Sequence, residues 1–297
     1  MLEARSFLLL LSSAYVVAHG DANAAAGQWV RPATPATVKG TDLDYQVAGK
    51  TYEGYSAIPA SGTAKAGVLI AHQYMGLTEY EKARADEMAK MGYAAFALDV
   101  YGKGVRCTTS ACASAAMNKA LSNITSLRDL ISAGTSQLLS HGAPRPDKLV
   151  AMGYCFGGSM VLELARHPAK GASAGVSFAA VSSIHGTLGA YAGETTASGE
   201  MTGRVQVHHA ELDFQGDGAL LALEAELKVG TNGTDAVWET LKYGKCKHGW
   251  TEPMSSIYNA RAAVQAHKST FEFFEMALGF YDPAADAFPE LPFCQPK

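Results

Sequence analysis

With 297 residues, 48% of them hydrophobic and 18% charged, the chain is long enough to bury one large core or two small ones and too apolar to be disordered. Its 24 basic and 28 acidic residues are scattered without blocks and leave a formal net charge of −4. No cluster of lysine and arginine is interleaved with aromatics, which argues against a nucleic-acid partner.

Residues 1–24 read as a secretory signal peptide. After MLEAR comes SFLLLLSSAYVVA, an apolar run of 13 residues, followed by small residues with an Ala-x-Ala site at Ala22–Ala24. About 20 apolar residues are needed to span a bilayer, so neither this run nor any later one predicts stable membrane association. The expected location is extracellular. Sequons at Asn123 and Asn232 agree with export but add little, because one or two arise by chance in a chain this long. Residues 25–41 contain QWVRPATPATVKGT, aperiodic and with two prolines, and predict an extended lead-in. Residues 42–280 form the expected domain and 281–297 a C-terminal tail.

The domain opens on DYQVAGKTYEGYSAIPA, the pattern of an antiparallel hairpin turning at Gly49 and Lys50. The runs AGVLIAH, YAAFALDV, KLVAMGY, GVSFAAVSSIH, RVQVHH and AVWETLKY then alternate with helical segments near Glu79–Met91, Ala113–Leu139, Gly157–His167, Gly218–Val229 and Ser256–Leu278. Strands that are apolar throughout imply a sheet covered on both faces, and alternation with helices implies parallel crossovers. One doubly wound, mostly parallel α/β domain with an N-terminal antiparallel hairpin is expected. In such a sheet the site gathers at the carboxyl ends of the strands.

Three motifs stand at predicted strand ends. Gly153-Tyr154-Cys155-Phe156-Gly157-Gly158 has the spacing of a nucleophile elbow, in which a strained turn excludes side chains two residues before and after the nucleophile. Cys155 would lie at the N-terminus of the next helix, where the dipole and free amides favour a thiolate. Read alone, the pattern also admits a buried core cysteine. Asp213 follows VQVHH, with Asp217 as a rival, and His248 follows a later strand in KYGKCKHGWTEP. Alone, either would pass for an ordinary loop residue; nucleophile, acid and histidine in that chain order are the order of an α/β-hydrolase triad.

From about Tyr45 to Leu278 the sequence resembles the dienelactone hydrolase family, through VLIAHQYMGL, GYAAFALDVYGKG, GYCFGG, VSSIHGTL, the aspartate after VQVHH, and KHGWTEP. The resemblance implies the α/β-hydrolase fold, with Cys155 as nucleophile, His248 as general base and Asp213 orienting the imidazole. It also implies an oxyanion hole made by the backbone amides of Phe156 and Tyr74. Two departures stand out. Gln73 occupies the position of a glutamate that exchanges a proton with the thiol. Glu252 lies about where those enzymes carry an arginine for the substrate carboxylate, and would repel an anion.

Gln73, Met75, His185 and Trp250, with Tyr74, are expected to line the substrate cleft, although core packing accounts for several of them nearly as well. His208 and His209 are adjacent and lack a cysteine or carboxylate at metal-ligand spacing, so they read as structural; no metal and no cofactor are expected. The reading is of a secreted monomer or homodimer that hydrolyses a small ester or lactone. The alternative is a secreted binding protein that keeps the fold and pocket without the activity, and Gln73 is the residue that favours it. With Cys155 free, four cysteines remain, and pairing of Cys107 with Cys112 and of Cys246 with Cys294 is expected in an oxidising compartment.

Overall fold

The computed structural model describes residues 30–171, 176–191 and 194–281. Strand β1 (Val38–Val47) pairs antiparallel with β2 (Lys50–Pro59), and Val47 faces Lys50 across the turn. The turn residues are Ala48 and Gly49, one position earlier than expected, with φ of +48° and +77°. A two-residue turn with both residues left-handed matches the twist of the flanking strands.

The elements that follow are β3 (Ala66–Ala71), α1 (Glu79–Lys90), β4 (Tyr93–Leu98), α2 (Ser110–Leu121), α3 (Ile124–Ser140), β5 (Leu149–Tyr154), α4 (Phe156–Arg166), α5 (Pro168–Gly171), β6 (Phe178–Ile184), β7 (Arg204–Leu212), α6 (Gly216–Gly230), β8 (Trp238–Lys247) and α7 (Ala260–Leu278). The strands form one sheet in the order β1-β2-β4-β3-β5-β6-β7-β8. The pairs β1/β2 and β2/β4 are antiparallel, and β3 through β8 run parallel.

Every residue of β3, β4 and β5 is buried, as unbroken apolar runs require of central strands. Alternation along each strand divides the core in two. Val68 and Ile70 face Tyr80, Met88, Phe273 and Phe274 of α1 and α7. Leu69 and Ala71 face the opposite layer, which holds Leu127 and Ile131 of α3, Met160 of α4 and Leu223 of α6. Among the described residues, no helix is long and apolar enough to cross a membrane.

The helix expected over Ala113–Leu139 is two helices. The chain turns at Ser122 and Asn123, where the Asn123 side chain accepts the Ser126 N–H at 3.1 Å and starts α3 afresh. Such a cap satisfies an amide that a new helix leaves without a partner. The expected disulfide between Cys107 and Cys112 is present and ties the loop after β4 to the first turn of α2. Cys246 is buried and has no disulfide partner among the described residues; Cys294, expected as its partner, lies outside the described residues, as do the signal-like segment and nearly all of the tail.

Candidate active site

Cys155 sits between β5 and α4 with φ +56° and ψ −113°, a left-handed backbone that a non-glycine residue adopts only under strain. The flanking glycines are obligatory. A Cβ on Gly153 would lie 2.1 Å from the Gly157 carbonyl oxygen, and one on Gly157 would lie 2.1 Å from that of Ala71. The second of these approaches presses the first turn of α4 against the loop between β3 and α1, which carries Gln73 and Tyr74.

Two later strand ends meet the thiol. His248, directly after β8, places Nε2 3.2 Å from Cys155 Sγ, and its Nδ1 lies 2.8 Å from Oδ2 of Asp213, directly after β7. All three side chains are buried. Oδ1 of Asp213 accepts from the Gln215 backbone N–H at 3.1 Å and from Gln215 Nε2 at 3.2 Å. Burial works against the charge on Asp213, but His248 and Gln215 outweigh it and hold the carboxyl below its ordinary range. Burial likewise disfavours a protonated His248, yet Asp213 and the Cys155 sulfur raise it well above the ordinary histidine value. The rival Asp217 is exposed and turns away, its Oδ1 2.6 Å from Lys242 Nζ.

The other expected site residues divide into two groups. Gln73 is buried, and its side-chain oxygen accepts the Met75 N–H at 2.7 Å, so the carboxamide folds onto its own loop. Tyr74 is also buried, with its hydroxyl 3.2 Å from Ser110 Oγ and its carbonyl accepting the Tyr101 hydroxyl at 2.8 Å. Met75 stays partly exposed, and its carbonyl accepts the Cys107 N–H at 3.1 Å, which links the disulfide to this loop.

His185 and Trp250, expected at the cleft, are wholly buried. The His185 ring packs 5.4 Å from that of His248 and 5.0 Å from that of Trp250, and its Nε2 lies 2.7 Å from Thr251 Oγ1. His185 also has φ +42°, a second strained residue at a strand end.

His208 is held by Tyr243, Gln206 and Thr270 at 2.8, 2.8 and 3.0 Å, and burial pushes it down to about 3. His209 is buried as the next residue of the same strand and is also lowered by burial. Two residues that the sequence reading missed belong here. Gln215 supports Asp213, and the partly exposed Phe214 packs its ring 4.9 Å from that of His248. Their only signal was position, directly after the strand-end aspartate. Away from this site, Glu163, His167 and Glu194 come together, but Arg128 lies on both carboxylates and Lys170 lies 3.1 Å from Glu194, which makes the group an ion-pair knot.

The sheet order and the elbow define an α/β-hydrolase. A profile of the dienelactone hydrolase family matches residues 52–278, and the chain belongs to that family, a hydrolase of ester bonds. An uncharacterised protein of Caenorhabditis elegans is 29% identical over 159 residues, which cover 51% of this chain and 94% of the relative. Among solved structures, a dienelactone hydrolase-like promiscuous phosphotriesterase from metagenomic libraries is 23% identical with a TM-score of 0.71, over 82% of this chain and 99% of its own. The thermophilic esterase Est2 of Thermogutta terrifontis, solved with propionate bound, is 15% identical with a TM-score of 0.59, over 85% of this chain and 98% of its own. At these identities the two structures share the fold.

Proposed function

We propose that the chain is a secreted hydrolase of carboxylic esters or lactones that works through Cys155, His248 and Asp213 and passes through a thioester. The observation that carries this reading is the buried line from Cys155 Sγ to His248 to Asp213, with separations of 3.2 and 2.8 Å. Asp213 accepts the Nδ1–H of His248, which leaves Nε2 toward the sulfur, and the raised His248 favours the imidazolium that forms when Nε2 takes the thiol proton.

The sulfur then attacks the carbonyl carbon, and the carbonyl electron pair moves onto the oxygen, where the backbone N–H groups of Tyr74 and Phe156 meet it. Collapse breaks the ester C–O bond. The departing alkoxide takes the Nε2 proton, leaving a thioester and a neutral imidazole. His248 next removes a proton from water, the oxygen attacks the thioester, and collapse releases the acid and restores the sulfur–imidazolium pair. Gln73 has no proton to exchange, and Met75 occupies its oxygen, so proton traffic runs through His248 alone. Secretion is supported by the apolar leader and by the Cys107–Cys112 bond, which an oxidising compartment maintains.

Short-chain p-nitrophenyl esters test the reading. Cys155→Ala should lower turnover by several powers of ten while circular dichroism and melting stay near wild type. Alkylation of Cys155 should abolish activity in the same way. Full activity in the alanine variant would refute the nucleophile, and a wild type that binds esters without cleaving them would leave the binding-protein reading in its place.

A further inference from the structure

Three consecutive carbonyls of the loop between β3 and α1 are held from one neighbouring segment, residues 99–112. The Gln73 carbonyl oxygen lies 2.6 Å from His72 Nδ1, and His72 Nε2 accepts the Val100 N–H at 3.3 Å. A carbonyl can only accept, so Nδ1 carries the proton and Nε2 is the acceptor; burial lowers His72 and keeps it in that neutral form. The Tyr74 carbonyl accepts the Tyr101 hydroxyl at 2.8 Å, and the Met75 carbonyl accepts the Cys107 N–H at 3.1 Å. Ser110 adds a fourth contact, its Oγ 3.2 Å from the Tyr74 hydroxyl. On another side the first turn of α4 closes in, since a Cβ on Gly157 would lie 2.8 Å from the His72 carbonyl oxygen.

Residues 99–109 lie outside any helix or strand, so this brace needs constraints of its own. At its start the buried Asp99 carboxylate accepts the Tyr101 and Gly102 N–H groups at 2.9 and 3.1 Å, and the Tyr101 ring stacks 6.1 Å from that of Phe156. At its end the Cys107–Cys112 bond joins the brace to the first turn of α2. Without that bond Cys107 is tied to the helix only through the exposed residues Thr108 and Thr109. Opening a covalent loop returns conformational freedom to the residues it held, and the bonds to Met75 and Tyr74 must then order them.

We propose that the Cys107–Cys112 bond and Tyr101 position the Tyr74 backbone amide for the oxyanion, so that the redox state of this pair sets the turnover of Cys155. The proposal rests on the hydrolase reading above, in which that amide meets the tetrahedral intermediate. The peptide group is planar, so holding the Gln73 carbonyl fixes the direction of the Tyr74 N–H in the same plane, and holding the next two carbonyls stops that plane from turning. A dithiol supplies the two electrons that release the brace. One of its thiolates attacks the sulfur of the exposed Cys112, and Cys107 leaves with the S–S electron pair and takes a proton. The second thiolate then displaces Cys112, which is protonated in turn, and the dithiol closes to a cyclic disulfide.

The test compares the full chain with the double variant Cys107→Ser/Cys112→Ser and with Tyr101→Phe on p-nitrophenyl butyrate. Each variant should lower kcat by roughly 10–100-fold with KM little changed, because a displaced oxyanion donor is missed in the transition state alone. Iodoacetamide should alkylate Cys155 at the wild-type rate in both, since displacement of iodide builds no oxyanion and reports only the thiol and His248. Dithiothreitol, with reduction checked by peptide mass, should lower wild-type turnover by the same factor and leave the double variant unchanged. Should the double variant not fold, dithiothreitol on wild type and Tyr101→Phe, which keeps the ring beside Phe156 and His72, carry the test.

A second measurement needs no turnover. An alkyl trifluoromethyl ketone adds to the Cys155 sulfur with no leaving group: the C–S bond forms and the carbonyl pair moves onto the oxygen. Its affinity, read by fluorine NMR of the adduct, should weaken in both variants as kcat does. Variants that match wild type in kcat and ketone affinity, or that lose Cys155 alkylation in step with turnover, overturn the proposal and leave the hydrolase reading standing. A wild type that cleaves no ester but binds the ketone at Cys155, more weakly in both variants, keeps the positioning of the Tyr74 amide and refutes the hydrolase reading instead. A wild type that does neither refutes both.

Discussion

The two oxygens of Asp213 have different tasks, and the difference sets what a substitution there should do. Oδ2 receives the imidazole, while Oδ1 is held by two bonds from Gln215, so the carboxylate cannot rotate away from His248. Asp213→Asn keeps the shape but removes the charge that raises His248. The imidazolium then loses its proton at lower pH, and iodoacetamide labelling of Cys155 should change its pH profile accordingly. Turnover should fall roughly 10²–10⁴-fold, as it does where an orienting aspartate is lost from other triads. Asp217→Asn should change neither, because that side chain reaches Lys242. Equal losses from both variants would show that the orienting role has been assigned to the wrong residue. A neighbouring position responds differently. At Gly157 a methyl group would meet backbone atoms of Ala71, which no rotamer change relieves. Gly157→Ala should therefore cost more than about 4 kcal/mol, in the range of exceptional substitutions, and be seen as loss of soluble, cooperatively melting protein.

At the scale of elements, the α2–α3 junction shows where pattern and geometry part company. Apolar positions continue at helical spacing from Ala113 through Leu138, so periodicity alone joins them, and the break lies in a polar pair whose effect is local. The Asn123 side chain, bonded to the Ser126 N–H, starts the second helix. Asn123→Ala should cost about 1 kcal/mol, lowering the melting temperature by roughly 2–4 °C for a domain of this size, and Asn123→Asp should restore most of it. An unchanged melt in the alanine variant would mean that packing alone places α3. The strands were legible for the opposite reason. Burial on both faces forces unbroken apolar runs, and the site residues fall where those runs stop, which is why Cys155, Asp213 and His248 could be picked out together. Strand-end position does not say which way a ring turns. His185 and Trp250 stand at the expected edge of the sheet, and both are fully buried there. Gln215 carried no pattern at all, because its contribution is a hydrogen bond fixed by tertiary structure.

Across the whole molecule, buried titratable groups on the two sides of neutrality should give the fold a narrow pH optimum. His208 is buried with neutral partners and pushed down from 6.5 to about 3, and His267 is lowered too, by burial first. Between those values the unfolded chain binds protons that the fold refuses, so stability falls as pH drops below about 6.5. The alkaline side is governed by groups of opposite sign. Glu252, raised from 4.5 to about 8 by burial first and by Glu81, keeps its proton in the fold while the unfolded chain gives it up, which costs stability progressively as pH rises through that window. His248, raised by Asp213 and Cys155, contributes stability below 6.5 that is lost as pH climbs through its folded value. The limbs overlap near pH ~6, where the melting temperature should be highest. They should also respond to different substitutions. His208→Gln removes an acid-sensitive group and should move the acid limb to lower pH, whereas Glu252→Gln should remove the loss of stability that accumulates from about pH 4.5 to 8. Melting curves recorded by circular dichroism from about pH 3 to 9 would read both limbs in one series. Stability that goes on rising from pH 6 to 8 in wild type would contradict the protonated state assigned to Glu252 and the raised His248 together.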